Sequence, residues 1–261
     1  MATLNVKRVA DGVMRVEMAR PEVLNAFDEA MIADLEAAFT GAANDAEVRC
    51  VVLSGTGRAF CAGADIEWMK RQSEAAESAN LEDARRFADM LHALASCPKP
   101  TIARVQGACM GGGVGLVCAC DFAIASPNAR FAVSEALFGI LPAVISPYLI
   151  AAIGVRRAKQ LALSTLRIEA TEALAIGLVS KVIPENELDD AVFALARELS
   201  AASPGAIAEI KTLYARLGAL ATPEVRELTA ATIARVRGTA EAREGFTAFL
   251  EKRPPAWSRD G

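Results

Sequence analysis

The sequence predicts an α/β fold, in which apolar strands buried on both faces follow helices along the chain. Two continuous apolar runs, residues 50–53 and 101–105, have the length of strands and are bounded by turn-forming residues. Runs of this kind are typical of strands in parallel sheets that are covered on both sides. Residues 28–39 and 67–95, which precede the two runs, predict helices. The 261 residues, 53% of them hydrophobic, suffice for a sizeable core.

The N-terminal residues predict a short hairpin of strands followed by a helix. Residues 6–9 and 13–18 have strand-forming sequences, and Asp11-Gly12 between them is a turn sequence. Asp28 is a good N-cap, because its side-chain oxygen can accept a hydrogen bond from the first N–H groups of a helix. The apolar positions after it recur at helical spacing: Met31, Ile32, Leu35 and Phe39.

A polar segment interrupts the next helical region. Residues 67–95 are charged and predict helical structure, which Pro98-Lys99-Pro100 ends. Within this region residues 72–80 (QSEAAESAN) are polar enough for a mobile loop between two helical pieces. The sequence therefore predicts a lid at residues 72–80.

The C-terminal part of the chain predicts mostly helices. Ser146-Pro147 is typical of a helix start, with Ser146 as the N-cap, and Gly154 is expected to end that helix after Ile153. Residues 181–183 predict one more strand. Four further helices are expected over about residues 188–199, 206–217, 223–237 and 240–252. Ser203-Pro204 marks a predicted subdomain boundary.

A glycine cluster lies at the centre of the stretch from Gly107 to Glu135. Gly111, Gly112 and Gly113 follow an apolar strand and precede a short apolar helix, whose first N–H groups lack intrahelical partners. Such N–H groups can hold an oxyanion. From the glycines alone, a tight turn with close helix-to-strand packing is the favoured alternative. The spacing fits neither a dinucleotide-binding GxGxxG motif nor a phosphate-binding P-loop.

A second small-residue loop and one glutamate complete the candidate site. Residues 60–66 (FCAGADI) also follow a buried strand and precede a helix, so two backbone N–H groups could converge on one oxygen. Residues 122–125 and 130–133 predict two short strands, the second of which leads to Glu135 among apolar residues. Burial raises the pKa of a carboxyl group, so Glu135 could exchange protons near neutral pH. Taken alone, Glu135 is more simply a surface or salt-bridged acid.

Composition disfavours several other functions. A net charge of −4 argues against sequence-independent nucleic-acid binding, which requires a basic surface. No apolar run has the length of a membrane span, and residues 1–12 lack the apolar core of a signal peptide, so we expect a cytoplasmic protein. The lone histidine, His92, is expected on a helix surface. The six cysteines have the pattern of reduced core residues rather than of a metal site: Cys50, Cys61, Cys97, Cys109, Cys118 and Cys120.

Taken together, residues 60–66, the glycine cluster, Cys120-Asp121 and residues 131–135 (FAVSE) resemble the crotonase (enoyl-CoA hydratase/isomerase) family, over about residues 13–257. The resemblance implies a core of stacked ββα superhelical turns with an acyl-CoA site in residues 1–202. It also implies a helical region, residues 203–261, that assembles homotrimers, usually paired as hexamers. CoA would be part of the substrate, with no separate cofactor and no metal.

The same resemblance assigns the chemistry. The two oxyanion-hole N–H groups fall on Ala64 and Gly112, and the catalytic acid/base falls on Glu135. Gly115 stands where hydratases with two glutamates carry the first of them, which leaves room for a bulkier acyl chain or an extra water. A one-glutamate hydratase is therefore the leading hypothesis. The alternatives are an enoyl-CoA isomerase, for which one carboxylate is enough, and a non-catalytic acyl-CoA-binding protein.

A closer resemblance concerns the acyl group. Residues 142–148 (PAVISPY), 81–85 (LEDAR) and 249–257 (FLEKRPPAW) are similar to bacterial methylglutaconyl-CoA hydratase-like members, which act in leucine breakdown. That similarity implies a branched 2-enoyl-CoA with a second carboxylate. Lys70 and Arg71 are the sequence candidates to pair with it, although a solvated helix face is the simpler interpretation of both.

The family resemblance also implies where CoA binds. Adenine and phosphate contacts are expected around two groups of residues: Val23, Leu24 and Ala26, and Ala62, Ala64 and Ile66. Contacts from a neighbouring subunit are expected at Phe249 and Lys252. For these last two, ordinary helix packing and a solvated lysine are equally good interpretations.

Overall fold

Two β-sheets and ten α-helices make up the part of the chain that the computed structural model describes, residues 3–9, 12–202, 204–217 and 223–253. The strands are β1 (Leu4–Arg8), β2 (Val13–Met18), β3 (Cys50–Gly55), β4 (Thr101–Val105), β5 (Ala108–Met110), β6 (Phe122–Ala125), β7 (Arg130–Ala132), β8 (Ile168–Glu169) and β9 (Lys181–Val182). The helices are α1 (Glu29–Asn44), α2 (Ile66–Ser73), α3 (Glu77–Ser96), α4 (Gly112–Ala119), α5 (Ser146–Ser164), α6 (Ala170–Ala175), α7 (Leu188–Ser200), α8 (Pro204–Leu217), α9 (Pro223–Arg237) and α10 (Ala240–Leu250).

The larger sheet has the order β1-β2-β3-β4-β6-β9 and is parallel except for the hairpin pair β1–β2. The smaller sheet has the order β5-β7-β8, with β5 and β7 parallel. From β4 to β7 the chain alternates between the two sheets, and α4 connects one pair of strands to the next. This repeated strand–strand–helix pattern confirms the predicted α/β class with ββα turns.

Both faces of the larger sheet are covered, which explains the continuous apolar strands. All six residues of β3 are buried. One face of the sheet contributes Val51 and Leu53 to the main core, whereas Cys50 and Val52 pack in a second cluster against Leu188 of α7 and its neighbours. The prediction that residues 50–53 and 101–105 form strands of a covered sheet is confirmed.

The N-terminal elements are also as predicted. Strands β1 and β2 pair antiparallel, with Val6 opposite Val16. Asp28 caps α1 by accepting a hydrogen bond from the Met31 N–H at 3.0 Å. The apolar positions predicted for this helix are all buried. Some residues named in the sequence analysis lie outside the described ranges: Asp11, Ser203 and residues 254–257.

The loop predicted over residues 72–80 does separate two helices, but it is much shorter than expected, and its role as a lid stays a prediction. Helix α2 continues to Ser73 and α3 begins at Glu77, so only residues 74–76 connect them. The polar side chains serve the helix ends instead: the Ser73 hydroxyl donates to the Lys70 carbonyl, and buried Asn80 donates to the Ala75 carbonyl. At Ser73 and Asn80 the polar side chain therefore has a local structural role.

The predicted helix over residues 146–153 is longer than expected and begins differently. Ser146 is the first residue of α5 rather than its N-cap, and its hydroxyl donates to the Pro142 carbonyl at 2.6 Å. Gly154 does leave helical geometry, with φ of 76° and ψ of 156°, but the helix resumes at once and ends at Ser164. Gly154 therefore kinks the helix instead of ending it, because the residues after it are helical again.

Three helices follow residue 203, as the sequence predicts. Helix α9 lies along α3, and α10 contacts α2 and the 3-10 helix Glu135–Phe138. The C-terminal helices therefore pack against the same elements that carry the candidate site. The division at residue 203 stays a prediction.

Candidate active site

The two small-residue loops lie side by side. Cys61 and Cys109 form a parallel bridge, and the Met110 N–H donates to the Cys61 carbonyl at 2.9 Å. Gly63, with φ of +94°, passes so close that a β-carbon on it would lie 2.8 Å from the Met110 carbonyl oxygen and 3.7 Å from the Gly112 nitrogen. A side chain at residue 63 would push the loops apart, so glycine permits their contact.

The predicted oxyanion-hole groups lie in these adjoining loops. Ala64 follows Gly63, and Gly112 is the first residue of α4, where N–H groups lack helical partners. Within the described residues neither the Ala64 N–H nor the Gly112 N–H donates a hydrogen bond. By contrast, the Gly111 N–H donates to the Ala132 carbonyl at 2.8 Å. The geometry therefore leaves two neighbouring donors for an oxygen atom.

The glycine cluster also packs tightly, as the alternative interpretation of the sequence required. A β-carbon on Gly112 would lie 2.3 Å from Cζ of Phe27, and one on Gly113 would lie 2.6 Å from the Cys61 carbonyl oxygen. Gly111 has φ of +50°. Close packing and donor placement thus depend on the same glycines.

Glu135 lies next to the glycine cluster. It begins the 3-10 helix Glu135–Phe138, and a β-carbon on Gly111 would lie 3.2 Å from Oε1 of its carboxyl group. Oε2 is buried without a hydrogen-bond partner. Burial raises the pKa of Glu135 to about 7, against the lowering effect of the backbone N–H groups of Glu135 and Ser134. Near neutral pH this carboxyl group can both accept and donate a proton.

The space beside Gly115 is filled. A β-carbon on Gly115 would lie 2.3 Å from Cγ2 of Ile145, and Ile145 itself borders the cavity. The expectation that this glycine leaves room for a bulkier acyl chain or an extra water is therefore wrong at Gly115 itself. A large apolar side chain, rather than solvent, replaces the absent carboxylate.

A cavity of about 930 Å³ connects these groups. Its wall is mainly apolar, as in most small-molecule sites. Eight of the sequence-predicted site residues border it: Val23, Ala26, Ala62, Ala64, Ile66, Gly112, Glu135 and Phe249. Leu24 and Lys252 are not among its lining residues; the Leu24 carbonyl accepts from the Ala62 N–H at 2.9 Å, and Lys252 is exposed after α10. The CoA contacts of all these residues stay predictions.

The basic residues of the cavity differ from those that the sequence suggests. Lys70 and Arg71 do not border it, and Arg71 forms an exposed ion pair with Glu29 at 2.9 Å. Among the described residues, the basic groups of the wall are Arg167, Arg237 and Arg253. Sequence reasoning missed Arg167 and Arg237 because they are distant along the chain from the site motifs, and it missed Arg253 although this residue directly follows Lys252.

Asp65, in the second small-residue loop, also borders the cavity, although the sequence assigned it no role of its own. It caps α2 by accepting from the Glu67 and Trp68 N–H groups, and it pairs with Arg20 at 3.0 Å. This carboxylate therefore already has partners, unlike Oε2 of Glu135.

The remaining titratable candidates lie elsewhere. His92 is half-buried in α3, and it does not border the cavity. All six cysteines are free, and four are buried. None of the helices in the described ranges combines the length and apolar character that a membrane span needs.

Comparison with known proteins agrees with this geometry. The sequence model described as enoyl-CoA hydratase/isomerase matches residues 8–260. A short-chain-enoyl-CoA hydratase of Clostridium acetobutylicum is 32% identical over 91% of this chain and 91% of its own. The human mitochondrial Delta(3,5)-Delta(2,4)-dienoyl-CoA isomerase is 35% identical over 82% of this chain and 69% of its own. The crystal structure of an enoyl-CoA hydratase from Mycobacterium avium subsp. paratuberculosis superposes with a TM-score of 0.87 at 31% identity, covering 98% of this chain and 99% of that one.

Proposed function

The chain belongs to the enoyl-CoA hydratase/isomerase family of enzymes, and we propose that it adds water to a 2-enoyl-CoA thioester. The observation that carries this proposal is the position of Glu135, whose buried carboxyl group adjoins Gly111, next to the unpaired N–H of Gly112. An acid/base and an oxyanion donor set are the two devices that hydration of a conjugated thioester requires.

In the proposed reaction Glu135 moves one proton twice. Its carboxylate takes a proton from water as the oxygen bonds to C3 of the enoyl group. Electrons from the double bond pass to the thioester oxygen, which the Ala64 and Gly112 N–H groups stabilise as an enolate. The protonated Glu135 then returns the proton to C2, which yields a 3-hydroxyacyl thioester and regenerates the carboxylate. A pKa of about 7 suits both halves of this cycle.

Isomerisation is the second candidate function, and the contact between Gly115 and Ile145 favours it. With Ile145 filling the space at Gly115, Glu135 lacks a second carboxylate at that position to hold water. A single carboxylate is enough to remove a proton from C2 of a 3-enoyl thioester and return it to C4. One human relative is named as an isomerase of dienoyl-CoA.

For the acyl group we propose a branched 2-enoyl chain, with 3-methylglutaconyl-CoA and leucine breakdown as the specific case. The sequence similarity in residues 142–148 supports this choice. Pro142 and Ile145 within that segment border the cavity.

We also propose that the chain assembles into a homotrimer or a pair of trimers. Large apolar side chains are exposed on α5 and just after it, namely Val155 at 64%, Leu163 at 73% and Leu166 at 67%. Exposed apolar patches are typical of subunit contacts, and we assign these three side chains to such a contact. Light scattering of the purified protein would test this assembly.

Product analysis in deuterium oxide separates the candidate functions. A hydratase converts crotonyl-CoA or 3-methylglutaconyl-CoA to a hydroxyacyl-CoA that carries deuterium at C2. An isomerase instead converts a 3-enoyl-CoA to its 2-enoyl isomer without adding water. If the protein binds these thioesters but gives neither product, and Glu135→Gln binds them equally well, the protein is a non-catalytic acyl-CoA binder and both proposals are wrong.

A further inference from the structure

Two neighbouring residues that border the cavity carry buried donors without partners. Trp68 Nε1 and Arg237 Nε are both buried and without a hydrogen-bond partner, and both residues border the cavity. Each residue is only 1% exposed. A buried N–H group that makes no hydrogen bond has lost its water without replacement, so it favours any acceptor that reaches it.

The two side chains are held in place together. The Arg237 guanidinium donates to Asp83 at 2.6 Å, and its central carbon lies 5.5 Å from the centre of the Trp68 ring. The Trp68 ring meets Phe27 edge to face at 6.2 Å, and Phe27 in turn covers Gly112. A continuous stack therefore runs from a predicted oxyanion donor along the wall to Arg237.

The contacts of the fold do not use these two N–H groups. The Arg237–Asp83 ion pair ties α9 to α3 through Nη1, and the faces of Trp68 are covered by packing. Neither contact involves Nε of Arg237 or Nε1 of Trp68. Structural roles therefore explain the presence of both residues but not the unused donors.

We propose that Trp68 and Arg237 form a polar subsite of the acyl cavity, which binds an uncharged ketone or hydroxyl oxygen on the acyl chain. This inference rests on the proposed function, because it assumes that an acyl-CoA occupies the cavity. Both groups can only donate hydrogen bonds, so the ligand atom must be an acceptor. The wall near them, including Phe87 and Ile233, is apolar and suits the hydrocarbon part of such a chain.

Charge favours a neutral oxygen over a carboxylate at this subsite, so the second carboxylate of 3-methylglutaconyl-CoA would have to lie elsewhere in the cavity, where Arg167 and Arg253 also border it. Asp83 already neutralises Arg237, and it also accepts from Arg86 at 3.3 Å. The Arg86 side chain is 48% exposed and therefore largely screened by water. A carboxylate bound at Arg237 would place a second anion next to Asp83 in a buried site, whereas a ketone or hydroxyl adds no charge.

Binding by calorimetry tests the subsite without requiring turnover. The ligands are decanoyl-CoA and the oxodecanoyl-CoA isomers with the ketone at each carbon from the fifth to the eighth. At least one isomer should bind about tenfold more tightly than decanoyl-CoA, the gain typical of one added hydrogen bond. Because the subsite has a fixed position, the preference should peak at one ketone position.

Two conservative variants assign the preference to the named atoms. Trp68→Phe keeps a ring but removes its N–H, and Arg237→Lys keeps the charge opposite Asp83 but removes Nε. Each should bring the ratio of the two dissociation constants close to one. Phe87→Leu, which changes an apolar part of the same wall, should keep the preference. If Arg237→Lys does not fold, Trp68→Phe decides.

Three results would overturn the inference. These are equal binding of decanoyl-CoA and every ketone isomer, a preference that survives in both variants, or tighter binding of the ω-carboxylate decanedioyl-CoA than of any ketone. Failure of the proposed function is a separate result, since it would be seen as binding of decanoyl-CoA without turnover of any 2-enoyl or 3-enoyl thioester. Absence of any acyl-CoA binding would contradict both.

Discussion

Ile145 occupies the space into which any side chain at residue 115 would project. Its Cγ2 lies 2.3 Å from the β-carbon position of Gly115, well inside van der Waals contact. The two residues are thus complementary: glycine is required because isoleucine is present. The result is a site in which Glu135 has no second carboxylate at that position.

Gly115→Glu alone should destabilise the protein by about 1–3 kcal/mol, because it overpacks the contact with Ile145. Adding Ile145→Ala should restore room for the carboxylate and raise the hydration rate above that of Ile145→Ala alone by roughly tenfold or more. Gly115→Gln with Ile145→Ala is the matched control, since it has the same shape without the charge. Denaturant unfolding and hydration of crotonyl-CoA provide the two measurements. Equal hydration by the two double variants would show that a second carboxylate at residue 115 has no catalytic use.

The pH dependence of activity should report Glu135. As the base it must be ionised, so kcat/KM should fall about tenfold per pH unit below its pKa of about 7. A profile of kcat/KM against pH in a constant-ionic-strength buffer measures this limb. If kcat/KM falls only near pH 4.5, the ordinary pKa of a glutamate, the result would contradict the burial of the carboxyl group.

Glu135 should also make stability depend on pH. Its pKa is raised in the folded protein, so the unfolded chain releases this proton first as pH rises, and stability falls between about pH 4.5 and 7. Above that range the full cost is about 3 kcal/mol. Glu135→Gln removes it, so the variant's gain in free energy of unfolding over the wild type should grow across this pH range. A difference that stays constant with pH would mean that burial does not perturb this group.

Gly112→Ala should damage both packing and activity. The added methyl group would lie 2.3 Å from Cζ of Phe27, so the contact must shift and the Gly112 N–H with it. We expect a loss of about 1–3 kcal/mol in stability and a fall in kcat. Combining it with Phe27→Leu should recover stability more than activity. Full activity in Gly112→Ala would exclude the Gly112 N–H as a positioned donor.

The sequence predicts the buried strands and the glycine-rich loops well, because their signals are local. The apolar run before Ser54 and the N-cap at Asp28 each determine structure within a few residues. Between Gln72 and Asn80 the predicted loop is too long, since composition alone does not distinguish loop residues from helical residues whose side chains bond to nearby carbonyls.

The site was only partly accessible from sequence for a different reason. Glu135 and the two loops belong to recognisable motifs, whereas Ile145 and Arg237 reach the cavity through tertiary packing. Ile145 meets Gly115 from the segment before α5, and Arg237 meets Asp83 across the contact between α9 and α3. No local sequence pattern predicts either contact.

The most direct test of the account is the loss of conjugated thioester absorbance from crotonyl-CoA and 3-methylglutaconyl-CoA, with wild type and Glu135→Gln measured in parallel. We predict turnover by the wild type and a decrease of about 10²–10⁴ in kcat for the variant, which has the shape of glutamate but cannot carry a proton. Equal rates for the two proteins would contradict the assignment of Glu135 as the acid/base. Absence of turnover by the wild type with either thioester would contradict hydration itself.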